Sequence, residues 1–353
     1  MATGSYYRGI PNPRYSCPAP PQEGIDTPAR YNHAGPPETM VAGLPVTMPP
    51  PLPSQGLPLV KVTPHGPLPL GLSVPEPDPS FWMDAPVLRF LAAVAERSRK
   101  GESLNVLLVG PTGTGKSSLP REIAARWQRP FFTMHCQMVT EPGEWWGTRE
   151  LSPDRGTYFL QAALVDAVET PGSIILLDEA NRTHPENINA LFGFLDHRRR
   201  AWIPVLHREI AVAPGVVFFV TLNEGMDYAG TNPVDRALRD RISNAIRLDY
   251  PPKAVEVELM ARRTGIDEDT AWKLATFAAT IRGNPKLGVS VSTRQLLECA
   301  ALAREGLPLP DAVLFAVVNS AVDEVDRKAL LQSLQVTGAV EDAYTRWHED
   351  DDE

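Results

Sequence analysis

Lys116 and Ser117 close the run GPTGTGKS, residues 110–117, and the spacing G-x-x-x-x-G-K-S has a definite chemical use. Glycines at these offsets let successive backbone N–H groups turn inward and cradle phosphate oxygens. Gly110, Pro111, Thr112, Gly113, Thr114 and Gly115 would form that cradle, with Ser118 just beyond it. Lys116 would reach the β- and γ-phosphates, and Ser117 would ligand Mg²⁺. The helix that follows would present its positive N-terminal end to the same anion. Further along, IILLDE places Asp178 and Glu179 after four apolar residues. Asp178 then sits at the C-terminal edge of a buried strand, where open α/β sheets bind their ligands. It would hold Mg²⁺ through the ion's water shell. Glu179 is placed to polarise an attacking water, a group that hydrolysis requires.

A third cluster lies in TLNEGMDYAGTNPVDRALRDRI, residues 221–242. Asn223 ends a strand-like run, and its amide can hold an attacking water or a γ-phosphate without adding charge. Arg236, Arg239 and Arg241 follow a turn, too far along to fold back easily onto the same phosphate. A cation that meets the transition state from a neighbouring subunit is worth about 10³- to 10⁵-fold in rate. Arg241 is the first candidate for that role and Arg239 the second, with Arg236 structural. The plainer alternative is an exposed, salt-bridged helix.

These residues need a scaffold, and the hydrophobic pattern supplies one. DAPVLRFLAAVAERSRKGE has helical spacing with Asp84 as a cap. LNVLLVG, PFFTMHC, SIILLDE and GVVFFVTLN read as buried strands, and KSSLPREIAARW, YFLQAALVDAVET and PENINALFGFLDHRRR as helices between them. Alternating strands and helices imply an α/β domain, a parallel sheet covered by helices. After residue 252 the pattern is helical throughout, near 253–264, 267–282, 292–305 and 310–335. Pro120, close to the start of the phosphate-loop helix, is a place for local distortion.

Of the 36 prolines, 20 fall in residues 1–80, about a quarter of that segment against an average near 5%. That leader cannot hold a helix or central strand and reads as disordered or polyproline-like, or as an arm that docks on a neighbour. The expected organisation is a Pro-rich leader over 1–80, an α/β nucleotide-binding domain over 81–250, an all-α lid over 251–335 and a tail over 336–353, acidic at its end. The net charge of −9 argues against a surface given over to nucleic acid. Cys17, Cys136 and Cys299 lack metal-ligand spacing, so His135–Cys136 reads as strand-end packing and the thiols as free. The start has no secretory pattern, and no apolar run is long enough for a bilayer. A cytoplasmic protein without a membrane partner is the expectation.

The chain from about 84 to 335 resembles an AAA+ ATPase of the MoxR/dynein-related branch. GPTGTGKS, LLDEANRTHPENINALFGFLD, TLNEGMDYAGTNPVDRALRDRI and VSTRQLLECA carry the resemblance. It implies a P-loop NTPase core with ATP and Mg²⁺ as cofactors, and a hexameric ring whose ATP sites lie between subunits. It makes Asn223 the sensor-1 residue, Arg241 the arginine finger and Arg294 the sensor-2 arginine of the lid. From its residue type alone Arg294 is a lid cation that could equally form a surface salt bridge. GEWWGTRELSPDRGTYF resembles a hairpin inserted in the second helix, and RRAWIPVLHREIAVAP a second hairpin before sensor 1. Trp145 and Trp146 either pack the insert on the core or grip a client or a neighbouring subunit. HRRR, 197–200, could touch nucleic-acid phosphate, line a ring or lie on the surface, and Arg262–Arg263 reads as a solvated lid face.

The implied function is an ATP-driven motor that remodels or activates a separate protein, in this branch often one with a von Willebrand factor A domain. A nucleic-acid motor is the second reading, and an ATP-switched recruiter working through the Pro-rich arm the third.

Overall fold

The computed structural model describes residues 67–336 apart from 153–155, 224–235, 243, 285–286, 288 and 322, together with the pairs 40–41 and 44–45. Most of the leader, Cys17, the turn after Asn223, the side chains of Asn223 and Arg236, and the acidic tail lie outside the described residues.

Five strands build the central sheet: β1 (Leu104–Gly110), β2 (Phe131–His135), β5 (Ile174–Asp178), β8 (Val217–Asn223) and β9 (Asn244–Arg247). All pair in parallel, in the order β9-β1-β8-β5-β2. The three inner strands are near-continuous apolar runs because both faces of the sheet are covered. Strand period sorts their residues between two cores. Leu107, Val109, Ile175, Leu177, Phe218 and Val220 enter one core. Val106, Leu108, Ile174, Leu176, Val217 and Phe219 enter the other.

The second core is closed by α1 (Ala85–Arg99) and α2 (Ser118–Trp127) through Leu91, Val94, Leu119, Ile123 and Trp127. Asp84 caps α1 by accepting from the Ala85 N–H at 2.8 Å. The first turn of α2 is wound from Gly115, whose carbonyl accepts from Leu119 N–H. Pro120 is the third helical residue, so its missing N–H costs little and α2 runs on without a break.

The first core is closed by two hairpins and three short helices, and here several expectations change. The hairpin β3 (Gly147–Ser152) and β4 (Gly156–Gln161) claims Tyr158–Gln161, which helical spacing had assigned to the following helix. That helix, α3, is Ala163–Glu169. The expected single helix over 185–200 is two short ones, α4 (Pro185–Asn189) and α5 (Phe192–Leu195). At the break the Asn187 carbonyl accepts from the distant Trp145 Nε1 at 2.8 Å, and Leu191 N–H turns to Ile188 instead. The second hairpin, β6 (Arg200–Ile203) with β7 (Arg208–Ala211), forms where the sequence indicated.

Trp145 is fully buried, and Trp146 meets the Phe194 ring edge-on with centroids 5.6 Å apart. Neither can grip a client from these positions; they fasten the insert to the core. Trp145→Ala removes the largest side chain at this junction, and its expected cost is about 3–5 kcal/mol. Thermal or denaturant unfolding of the variant checks it.

The helical region comprises α7 (Lys253–Thr264), α8 (Glu268–Arg282), α9 (Thr293–Arg304), α10 (Leu309–Ala316) and α11 (Glu324–Val336) around Met260, Leu274, Phe277, Leu296 and Val313. The expected helix over 310–335 is broken because Asp323 starts a new one, accepting from Val325 N–H at 2.7 Å. Ser292 and Gln295 form a capping box on α9. Arg263 is not merely a solvated cation: it bonds Asp78 and Ser80, while Asp78 N–H donates to Glu122 of α2 at 2.8 Å. The segment just before α1, which composition had placed in the leader, therefore straps lid to core; Leu72 is buried and Ser73 bridges to Phe131. Among the described residues no helix is long and apolar enough to cross a membrane.

Candidate functional site

β1 ends in the glycine-rich loop, and the loop needs its glycines. Gly110 lies at φ +150°, and a Cβ there would fall 2.2 Å from the Leu248 carbonyl oxygen. Gly113, at φ +78°, would meet the Ser292 Cβ at 2.5 Å, so the lid rests on the loop itself. Thr114 Oγ1 donates to the Pro111 carbonyl at 2.9 Å and tightens the turn. Lys116 is buried, and its ammonium donates to the Gly110 and Pro111 carbonyls at 2.9 and 2.7 Å. Burial lowers the Lys116 pKa; Asp178 and Glu179 oppose that, and the nearby Arg294 guanidinium reinforces it.

Asp178 ends β5 beside the loop. Its Oδ1 accepts from Ser117 Oγ at 2.8 Å and from Thr221 Oγ1 at 2.6 Å. Its Oδ2 lies 3.6 Å from His135 Nδ1, one strand over. Glu179 takes a left-handed backbone, φ +52°, that turns the chain off the sheet, and its carboxylate lies 3.1 Å from Arg182 Nε. Asn223 is paired in β8 with Gly110, which puts its backbone at the root of the loop. Cys136 and Cys299 are free and buried; burial pushes the Cys299 thiol up to about 12 and the Cys136 thiol higher still. Cys136 packs in the first core while His135 is exposed beside Asp178, and among the described residues no group of three His, Cys, Asp or Glu side chains is placed to hold a metal.

A cavity of about 530 Å³ opens beside the loop, between α2, the strap before α1 and the lid. Gly113, Thr114, Gly115, Ser118 and Arg294 line one side, with Phe81 and Leu297 among the apolar walls. The size suits a small-molecule ligand. Lys116, Ser117, Asp178 and Glu179 do not line this cavity; Arg294 does, and it lies near enough to Lys116 to lower that group's pKa, so a polyphosphate reaching from the cavity along the loop would meet both cations. Ser117 and Asp178 offer the hard oxygen donors that Mg²⁺ prefers. The residues present thus fit ATP with Mg²⁺. The bound ion would neutralise developing phosphate charge; Lys116 and Arg294 would orient the anion, and Glu179 would accept a proton from water.

The arginines after Asn223 are elsewhere. α6 (Arg236–Arg241) ends at the opposite edge of the sheet, where the Arg241 carbonyl accepts from Asn105 Nδ2 at 2.8 Å. Asn105 stands five residues before Gly110 in β1, roughly 17 Å at about 3.3 Å per residue. Arg241 stacks on the Phe192 ring at 4.1 Å and donates to the Ala237 carbonyl, while Arg239 is exposed. In HRRR, Arg199 points inward to Asn105, Phe194 and Ser103, leaving Arg198 and Arg200 outside beside Asp196 and Glu209.

Four contributors were given no role from the sequence. Thr221, the first residue of the TLNEGMDY stretch, bridges the two acids. Arg182 holds Glu179 from three residues on. Tyr250 donates to the Thr112 carbonyl at 3.0 Å, accepts from Ser290 of the lid and lies under the Arg282 guanidinium. Arg282 in turn pairs with Glu256, which also accepts from Thr293, beside Arg294.

Comparison with known proteins matches residues 105–242 to the AAA domain of the dynein-related subfamily, and residues 256–337 to the CbbQ/NirQ/NorQ C-terminal region. A protein named putative chaperone BssE, from Thauera aromatica, is 36% identical over 74% of this chain and 90% of its own length. Protein NorQ of Paracoccus denitrificans is 33% identical over 65% of this chain and 85% of its own. A solved point mutant of RuvB from Thermotoga maritima aligns with a TM-score of 0.47 at 19% identity, over 69% of this chain and 73% of that one. With the phosphate loop, the acid strand and both matched regions in one chain, this protein belongs to the MoxR-like AAA+ ATPases of the dynein-related subfamily.

Proposed function

We propose that this chain hydrolyses ATP in a ring, built as a homo-oligomer and in this family's likeness a hexamer, that remodels or activates a separate protein partner. Lys116, Ser117, Asp178, Glu179, Asn223 and Arg294 of one subunit act on an ATP whose γ-phosphate is met by Arg241 of the next. The observation that carries the reading is the position of Arg241. Its backbone is tied to the start of β1 by Asn105, while its own phosphate loop lies at the end of β1. A rigid strand separates the two, so the cation serves another subunit or none. Arg239, exposed on the same helix, is the second candidate.

A protein client fits better than nucleic acid. The HRRR stretch has one arginine turned into the core and its neighbours beside acids, which leaves little basic surface there. The relative named putative chaperone BssE supports the same choice. The test is capture from native lysate with ATP-loaded Glu179→Gln as a trap. ATP-dependent recovery of a von Willebrand factor A domain protein or a metalloenzyme is the expected result. Recovery of nuclease-sensitive nucleic acid without such a protein would make the chain a nucleic-acid motor. Deleting residues 1–66, which leaves the packed strap intact, tests whether the arm recruits the partner.

A further inference from the structure

We infer that Thr221 is a positioning residue for hydrolysis, one hydroxyl that sets the metal-binding carboxylate and the water-activating glutamate relative to each other. The inference rests on the ATP-hydrolysis reading and concerns the same site. Strand register makes the placement. β8 pairs with β5 only through Val220↔Leu177, whereas it follows β1 to Asn223↔Gly110. On its β8 side the acid strand therefore loses its partner after Leu177, while Asp178 still pairs with His135 of β2 on the other side, and Thr221 stands beside the point where the β8 pairing stops.

The Thr221 hydroxyl is fully buried and has one proton to give. Its oxygen accepts the Glu179 N–H at 2.8 Å, and its proton goes to Asp178 Oδ1 at 2.6 Å. The two bonds do different work. The donated bond fixes Asp178 Oδ1, which also takes the Ser117 hydroxyl at 2.8 Å. The accepted bond replaces the ladder partner that Glu179 N–H has lost and holds that residue in its left-handed turn, φ +52°, from which the side chain is aimed. A left-handed backbone is unfavourable for a residue with a Cβ and persists only where its surroundings enforce it. Asp178 and Glu179 are thus fixed through one atom of a different strand. Val at position 221 would keep the volume and lose both bonds; Ser would keep both bonds and lose one methyl.

The experiment compares wild type, Thr221→Val and Thr221→Ser in ATP turnover, in binding of a fluorescent ATP analogue against Mg²⁺ concentration, and in amide exchange of the nucleotide-free protein. Thr221→Val should lower kcat about 10- to 100-fold, the range seen when outer partners of a metal site are removed, and raise the Mg²⁺ half-saturation several-fold. Analogue affinity at saturating Mg²⁺ should stay within about 3-fold, because the phosphate loop is untouched. Peptides covering 178–182 should exchange faster in Thr221→Val and at the wild-type rate in Thr221→Ser, with turnover also restored. A Val variant with wild-type kcat overturns the inference. So does a Ser variant that melts like wild type yet turns over as slowly as Val. If the wild type itself shows no ATPase activity, the proposed function fails, and unchanged exchange and Mg²⁺ dependence in Thr221→Val would sink this inference separately.

Discussion

Glu179→Gln is expected to bind ATP about as tightly as the wild type and to hydrolyse it about 10²- to 10⁴-fold more slowly, the usual worth of a positioned general base. Gln keeps the length of the side chain and the backbone turn that aims it, but an amide cannot take the proton of an attacking water. The phosphate-binding parts are separate. Lys116 is held by the Gly110 and Pro111 carbonyls, and Ser117 bonds Asp178. These bonds do not run through the Glu179 carboxylate, which lies 3.1 Å from Arg182 Nε, although its charge is felt at Lys116. Both members of that pair are about a third exposed, so its loss should cost little stability. Single-turnover hydrolysis beside equilibrium binding of an ATP analogue checks the split. A wild-type turnover rate would remove Glu179 from its role, and lost binding would mean the turn at 178–179 had collapsed.

Arg241→Ala should retain ATP binding and lose hydrolysis by about 10³- to 10⁵-fold if its guanidinium meets the transition state in a neighbour. Lys116→Ala should lose nucleotide binding. The larger expected effect is in the mixture. A subunit with Arg241→Ala still has its phosphate loop, and one with Lys116→Ala still has its arginine. Placed side by side they complete one ATP site, so mixing two inactive variants should restore a substantial part of the activity. Steady-state ATPase assays across mixing ratios read this directly. A mixture as dead as its components would place Arg241 outside a shared site. A fully active Arg241→Ala would pass the role to Arg239 or to no arginine. Removing Arg241 also uncovers the Phe192 ring, so melting of the variant should be followed in parallel.

The elements around these residues were legible in the sequence to different degrees. Buried parallel strands stand out because both faces are apolar, and all four strands expected from apolar runs are in the sheet. β9, with only Ala245 and Ile246 between polar ends, carries too little apolar signal to announce itself. Short pieces misled for a different reason. Tyr158–Gln161 has helical spacing but pairs with Gly147–Glu150, and cross-strand bonds outweigh a weak local preference. The helix over 185–200 broke because a tryptophan 42 positions away took one of its carbonyls.

By itself the sequence determined the glycine-rich loop after β1, the acid pair at the end of β5 and the helical region that follows the sheet. Each of those depends on contiguous residues: a loop cradles phosphate through its own backbone, and a strand delivers an acid at its own end. Only the tertiary structure decided which groups flank them. Thr221 reaches Asp178 through strand register, and Arg294 nears Lys116 because the lid rests on Gly113. Arg241 is held away from its own loop by the length of β1 and the amide of Asn105. Trp145 and Trp146 are inside because the first core needed closing below α4 and α5. Such contacts join residues far apart in the chain, and no local spacing encodes them; they exist only once the sheet order and register have been set.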